Sequence, residues 1–315
     1  MKKILITGGS GFLGRHLAKK LLSHGHQVLL GSRNNSNNVL AELKTGCKVV
    51  PMDITNEKSI RDVVNEFKPN TIIHAAATKY VDVSEKNPFE CIDVNVIGSE
   101  NIARQAIECG IEHVVGISTD KAAPPVGNIY GHSKAIMERL FSALSGRTKT
   151  KFICVRFGNI AWSTGSVFPI WERMSQLDKK IGTTGPHMRR FFFTVNDAAD
   201  LVITAMNNIN EHHGGILSLK MKSAQIEDIL KVWSKHFDVP YEKIEERPGD
   251  KLDEVLIGKI ELPYIKLVDI EGRPYYYINF HKKCDNELRE EISSANAERL
   301  NEKEMLDLII NKPEM

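Results

Sequence analysis

Residues 3–14 read KILITGGSGFLG. A short run rich in β-branched residues meets a glycine turn, and the helical pattern LGRHLAKKLLSHG follows directly. Gly9, Gly11 and Gly14 fit GxGxxG; Gly8, Gly11 and Gly14 fit GxxGxxG. Such glycines allow a tight turn and let the backbone approach a pyrophosphate, which then rests on the helix N-terminus. The expected cofactor contacts are therefore Gly8, Gly9, Ser10, Gly11, Phe12, Leu13 and Gly14. A merely flexible strand–helix turn is the bland alternative. The position of the turn in the first βα unit favours the cofactor.

Outward from this turn, strand-like runs alternate with helical ones. The strand candidates are QVLLGS (27–32), CKVVPM (47–52), TIIHAA (71–76), HVVGIS (113–118) and KFICVR (151–156). Between them lie NEKSIRDVVNEF and VIGSENIARQAIECG, with apolar residues at helical spacing. Nearly continuous apolar strands alternating with helices mean a parallel sheet covered on both faces. The expected fold class is α/β, a Rossmann-type doubly wound sheet. Residues 1–160 read as the dinucleotide-binding domain and 161–315 as a smaller substrate-binding region, partly interleaved with it. In the latter a helix is expected near 196–208, β pieces at 216–221 and 275–280, and a last helix opened by an Asn301/Glu304 capping box.

The totals exclude other classes. The chain has 315 residues, net charge +2, 42% hydrophobic and 26% charged residues, so nothing announces nucleic acid or a membrane surface. Five scattered cysteines without a CxxC argue against a disulfide framework or a metal site. The N-terminal apolar run is too short for a signal peptide and no stretch is long enough to span a bilayer. A cytoplasmic location is expected.

The end of the second strand indicates which dinucleotide binds. An NAD site usually carries an acid there for the ribose 2′-hydroxyl. Here the sequence is Gly31-Ser32-Arg33-Asn34, and no acid occurs between His26 and Glu42. Arg33 suits a 2′-phosphate, because a guanidinium matches phosphate bidentately. NADP is the expected cofactor, with Ser32 and Arg33 at its ribose. Asp53 and Ile54 could flank the adenine; Asp53 could equally cap the next helix.

Residues 118–134, STDKAAPPVGNIYGHSK, place Tyr130 and Lys134 one helical turn apart on one face. A tyrosine acting as a base near pH 7 needs its pKa lowered by about 3 units, roughly 4 kcal/mol. Nearby ammonium groups favour that shift. Asp120 and Lys121 are an additional acid and base, placed where the fifth strand should end.

TGGSGFLG with YGHSK resembles an extended short-chain dehydrogenase/reductase. Several further strings resemble the C5-inverting UDP-N-acetylglucosamine 4,6-dehydratases of the pseudaminic acid and polysaccharide pathways: HAAATKYVDVSEKNPFECIDVNVIGSENI, STDKAA, RFGNIAWSTGSVFP, HMRRFFFTVNDAADLV, KMKSAQIEDI and RPGDKLDEVLI. The resemblance runs from residue 3 to about 257. It departs from the family in one extra residue between Asp120 and Tyr130. It implies Tyr130 as the base at the C4 hydroxyl, Lys134 on the nicotinamide ribose, Thr119 or Ser118 on the substrate, Asp120 as acid at C6 and Lys121 as base at C5. It also implies cofactor contacts from Ala75, Ala76, Ala77, Lys79 and Asn95. The UDP-sugar would meet Lys79, Thr119, Asn159, Ser166 and Glu254, with Arg190 (or Arg189) and Arg247 clamping the diphosphate. His74 and Phe191–Phe193 read as structural. The alternatives are release of a 5,6-unsaturated sugar, C5 retention, 4-epimerisation, or a non-catalytic NADP-binding regulator. The family habit suggests a dimer or hexamer.

Overall fold

The computed structural model describes residues 1–33, 35–244, 251–285 and 288–314. Six parallel strands organise it: β1 (Lys3–Thr7), β2 (Gln27–Ser32), β3 (Val49–Pro51), β4 (Thr71–His74), β5 (His113–Ile117) and β6 (Lys151–Arg156). They lie in the order 3-2-1-4-5-6, all parallel. Ile4, Leu5, Ile6, Ile72, Ile73, Val114 and Val115 have essentially no exposed surface. Burial on both faces is why these strands read as continuous apolar runs rather than alternating ones.

The sheet continues into the C-terminal half. Ile216–Leu219 pairs parallel to β6, and the hairpin Ile265–Ile270/Arg273–Ile278 adds two antiparallel strands beyond it. The nine-stranded sheet therefore draws strands from both halves of the chain. Tyr275, Tyr276 and Tyr277 are buried in that extension. Over the sheet's C-terminal edge sits a smaller layer in which Arg189–Phe193 pairs with Asn159–Ile160 and Ser223–Gln225. Beneath this layer Trp162, Phe168, Trp171, Phe192 and Trp233 form one aromatic cluster, with Phe168 stacked on Phe192 at 5.9 Å. The Phe191–Phe193 run is core.

Helix α1 (Phe12–Ser23) starts directly after the glycine turn and buries Phe12, Leu17, Ala18 and Leu21 on one face. Each large apolar side chain buried in this way contributes about 1.5–3 kcal/mol. The helix Val195–Asn207 opens with a Thr194/Asp197 capping box, and Glu302–Ile310 with the expected Asn301/Glu304 box. No described helix is long and apolar enough to cross a membrane.

Candidate active site

A cavity of about 670 Å³ opens at the C-terminal ends of β1, β4 and β5, where the strand order reverses. One wall is the glycine turn. Gly8 has φ +67°, and a Cβ there would lie 2.8 Å from the Ala76 backbone, so the turn and the residues after β4 are packed as bare backbone. Gly8, Ser10, Gly11, Phe12, Leu13 and Gly14 all face the cavity. Gly9 does not: a Cβ there would strike the Leu30 side chain, so its role is strand packing. No side chain caps α1 at Gly11, which leaves its first-turn amides for an anion.

The end of the cavity beyond β2 is lined by Ser32, Arg33, Asn37, Met52 and Ile54. Ser10 Oγ and Ser32 Oγ are 2.6 Å apart. Asp53 is turned away; its carboxylate accepts from the Thr55 amide and hydroxyl at 2.9 Å, and Asn56 caps the following helix. Glu90 also faces the cavity, and Glu90 and Asp93 share a second depression with Arg33. These acids lie some sixty residues from the second strand, beyond any local sequence rule.

Ala75, Ala76, Ala77 and Lys79 form the next wall. Lys79 Nζ donates to the Thr164 carbonyl at 2.5 Å and Tyr80 Oη to the same oxygen at 3.4 Å, joining two loops across the opening. Asn95 is behind this wall. It brackets Thr78 by its amide and carbonyl at 2.8 and 2.9 Å and reaches Ser133 Oγ at 2.9 Å, so it ties the loop to the tyrosine helix and does not line the cavity.

The chemical wall comes from β5 and the helix Ile129–Ser145. Asn128 caps that helix through the Gly131 amide at 2.7 Å. A Cβ at Gly131 would sit 2.2 Å from the Lys121 carbonyl, so only glycine lets the turn Asp120–Ala122 rest on the helix start. Ser118, Thr119, Lys121, Tyr130 and Lys134 all line the cavity. The extra residue in the 120–130 loop has not separated the two halves of the site. Thr119 joins the two halves, donating to Asp120 Oδ1 at 2.9 Å and lowering the pKa of the Tyr130 hydroxyl.

Asp120 does not reach the cavity surface; its side chain has 0% exposure. Lys121 Nζ sits 3.1 Å from Asp120 Oδ1 and 3.2 Å from Glu254 Oε1. Burial raises the Asp120 carboxyl, the Lys121 ammonium lowers it, and the result is a net rise. For Lys121, burial lowers the pKa but the Asp120 and Glu254 carboxylates outweigh it, so it is held protonated. This differs from the lowered pKa that a resting base would need: the lysine is clamped between two anions. Burial pushes Tyr130 up to about 12, with Lys121 as the principal group pulling it down, and burial lowers Lys134 to about 8. His74 is structural. It bonds Thr7 Oγ1 at 2.8 Å and Ser99 Oγ at 3.0 Å, and burial lowers it to about 3.

Asn159 and Ser166 line the far wall, and Ser166 Oγ is buried without a partner. The expected arginine clamp differs. Arg189 forms a bidentate pair with Asp253, and Arg190 points inward, its Nη1 donating to the Arg189 and Leu252 carbonyls and its Nε 3.9 Å from Glu254. Neither lines the cavity, nor does Glu254. Arg247 lies outside the described residues. Among those residues, Arg33 is the one arginine on the wall. Sequence reasoning missed Thr78, Tyr80, Glu90 and the 163–165 loop; the Ser-Thr-Gly turn at 163–165 was the available signal.

Residues 4–267 match the family model described as polysaccharide biosynthesis protein. The capsular polysaccharide biosynthesis protein CapD of Staphylococcus aureus is 36% identical over 83% of this chain, which spans 46% of that protein, about half its length. A UDP-N-acetylglucosamine 4,6-dehydratase (inverting) of Campylobacter jejuni is 30% identical over 98% of this chain and 97% of its own. A UDP-glucose 4-epimerase of Rickettsia bellii is 31% identical over 98% and 96%. Among solved structures, Pen from Bacillus thuringiensis superposes with TM-score 0.90 at 28% identity over 99% of this chain and 97% of that one. The NAD complex of Thermus thermophilus UDP-glucose 4-epimerase shares the fold, with TM-score 0.69 and 20% identity over 79% of this chain and 88% of that one. The chain belongs to the polysaccharide biosynthesis protein family, with relatives named both as UDP-sugar 4,6-dehydratases and as UDP-sugar 4-epimerases.

Proposed function

We propose that the chain is a nucleotide-sugar 4,6-dehydratase that converts UDP-N-acetylglucosamine to a UDP 4-keto-6-deoxy-N-acetyl sugar with inversion at C5, recycling NADP within each turnover. The observation that carries this reading is Lys121, bonded to the buried Asp120, on the same cavity wall as Tyr130 and Lys134. The full-length likeness to an inverting dehydratase supports it.

The residues fit a dinucleotide: a backbone cradle that a Cβ at Gly8 would fill, an uncapped helix start, and Ser32 and Arg33 at the ribose end. Bound there, the nicotinamide would accept the C4 hydride and return it to C6. If Arg33 holds a 2′-phosphate, Arg33→Ala should weaken NADP tenfold or more relative to NAD, since a hydrogen bond to a charged group is worth about 1.5–3 kcal/mol. Fluorescence titration with both dinucleotides checks this. Equal losses for both would instead favour NAD, with Glu90 or Asp93 on the ribose.

Tyr130 Oη takes the C4 hydroxyl proton, with the Lys121 ammonium lowering the cost of the phenolate. The C5 proton, next to the new ketone, then becomes removable. One proton transfer along the 3.1 Å bond from Lys121 to Asp120 leaves a neutral amine and a neutral carboxylic acid. These are the base for C5 and the acid for the departing C6 hydroxyl. Lys121 faces the sugar directly; Asp120 reaches it through the cavity-lining Thr119, whose hydroxyl donates to Asp120 Oδ1 at rest and, once the carboxyl is protonated, turns to give its proton to the C6 oxygen while taking one from Asp120. Solvent water reprotonates C5 from the face opposite Lys121, which inverts it, and the hydroxide so formed takes up the proton that Tyr130 received from the C4 hydroxyl.

A 4-epimerase outcome is the second reading, favoured by relatives of that name that cover the chain equally well. It would use Tyr130 and Lys134 but leave Asp120 and Lys121 idle. Incubation with UDP-N-acetylglucosamine in deuterated water separates the two. The expected product has lost one water and carries deuterium at C5. Unchanged mass would sink the dehydratase reading, and a stable alkene signal would redirect it to the unsaturated product.

A further inference from the structure

Glu254, the second carboxylate on Lys121, has no task in the scheme above. It comes from the other half of the chain, just ahead of the strand Val255–Ile257. Its amide donates to Ser294 Oγ at 3.0 Å and its carbonyl accepts from the Ser294 amide at 2.8 Å, so its backbone is fixed. The side chain is 7% exposed and does not line the cavity. Glu254 therefore acts on the site through the charged groups packed around it, with Lys121 at 3.2 Å its nearest partner.

The groups facing Lys121 are Asp120, Glu254, Arg190 and Tyr130. Two cations and two anions share one buried cluster, with the Tyr130 hydroxyl at its edge. Asp120 Oδ2 is buried there without any hydrogen-bond partner. An orphaned carboxylate oxygen close to a second carboxylate is a natural place for a proton, because two such anions cannot both stay ionised cheaply.

We propose that Glu254 is a positioning residue that keeps the Asp120–Lys121 pair loaded with its proton, so that its anion sets the pH range in which the pair can eliminate water. This rests on the dehydratase reading. The sign follows from electrostatics: a neighbouring negative charge makes proton loss harder for a carboxylic acid and for an ammonium alike. Burial is the largest influence on both groups, raising Asp120 and lowering Lys121, and the Glu254 charge raises both. Removing that charge lets both fall together, and the pair sheds its proton at lower pH.

Glu254→Gln preserves size and leaves an oxygen for Lys121 while removing the charge. Its kcat/KM profile for water loss should move bodily to lower pH by about one unit or more, with NADP affinity and near-ultraviolet circular dichroism unchanged. Glu254→Asp keeps the charge one methylene further back, so its profile should fall between the two. It also serves if Glu254→Gln does not fold. Limbs that stay in place in a folded variant overturn the proposal. If the wild-type chain loses no water from the sugar, the dehydratase reading fails separately. Glu254 is then judged by carbon-13 NMR titration of the Asp120 carboxyl, assigned with Asp120→Asn: a midpoint lowered by Glu254→Gln supports the role, and an unmoved one ends it.

Discussion

On the dehydratase reading, Lys121→Ala should leave a protein that still binds its dinucleotide but eliminates water from UDP-N-acetylglucosamine about 10²–10⁴-fold more slowly, the range a positioned acid or base supplies. Lys121 is the member of the pair on the cavity wall, so on the dehydratase reading its loss takes away the base proposed at C5 and the proton that Asp120 would pass on. A second effect follows from its place among the charges. Lys121 is the main group lowering Tyr130, so without it the phenol rises further above about 12 and the C4 proton is harder to remove at neutral pH. The residual rate should therefore keep climbing to higher pH before it levels off than the wild-type rate does. The truncation also leaves Asp120 and Glu254 facing each other with Arg190 as their remaining neighbour of opposite charge. Asp120→Asn is the gentler companion: it keeps the shape, removes the acid and spares the ammonium. Mass spectrometry of the product and a fluorescence binding titration read both variants. Normal water loss by either would remove that residue from the mechanism.

The sequence disclosed the sheet far better than the charge network. β1, β2 and β6 lie where their apolar runs placed them, because a strand buried on both faces has no polar residue to blur its ends. Helix Asn35–Thr45 was not anticipated; Val39 and Leu43 on it are exposed, so its pattern carries no clear apolar stripe. Val167–Leu177 and Ile226–Phe237 were hidden for another reason. Their buried faces meet Trp162, Phe168 and Trp233 in a cluster formed across long sequence separations. The cavity's glycine, tyrosine and lysine positions were legible because a turn or a helical spacing fixes them locally. The partners of Lys121 and Arg190 were not. Alternation along Arg189–Phe193 sends one arginine to Asp253 and turns the next inward toward Glu254, and a matched string does not say which neighbour each arginine will meet. Whether a charge serves a ligand or another side chain depends on residues some sixty positions away.

Arg156→Met should destabilise the fold by about 3–5 kcal/mol, the cost of stranding buried charge. The Arg156 guanidinium is fully enclosed and every one of its N–H groups is used. Nε and Nη2 grip Glu138 at 3.0 and 2.6 Å, Nη1 and Nη2 grip Glu261 at 2.8 and 2.9 Å, and Nη1 also reaches the Leu256 carbonyl at 3.0 Å. Each partner belongs to a different part of the site. Glu138 lies two turns beyond Tyr130 on the same helix and accepts from Ser118 Oγ at 2.6 Å; Glu261 and Leu256 follow Glu254 in the C-terminal half. The arginine thus holds the segment carrying Glu254 against the helix carrying Tyr130. Methionine in its place leaves two buried carboxylates without their hydrogen-bonded cation, and urea unfolding should show the loss as a lower midpoint. Replacing all three by apolar residues (Arg156→Met, Glu138→Leu, Glu261→Leu) should recover much of the stability, because a buried ion network and a packed apolar cluster are often close in free energy. It should not recover the activity: a nonpolar contact lacks the directional bonds that fix Glu138 and Glu261 in register, and with them the distance from Glu254 to Lys121. A triple variant as active as the wild type would show that the network serves stability alone.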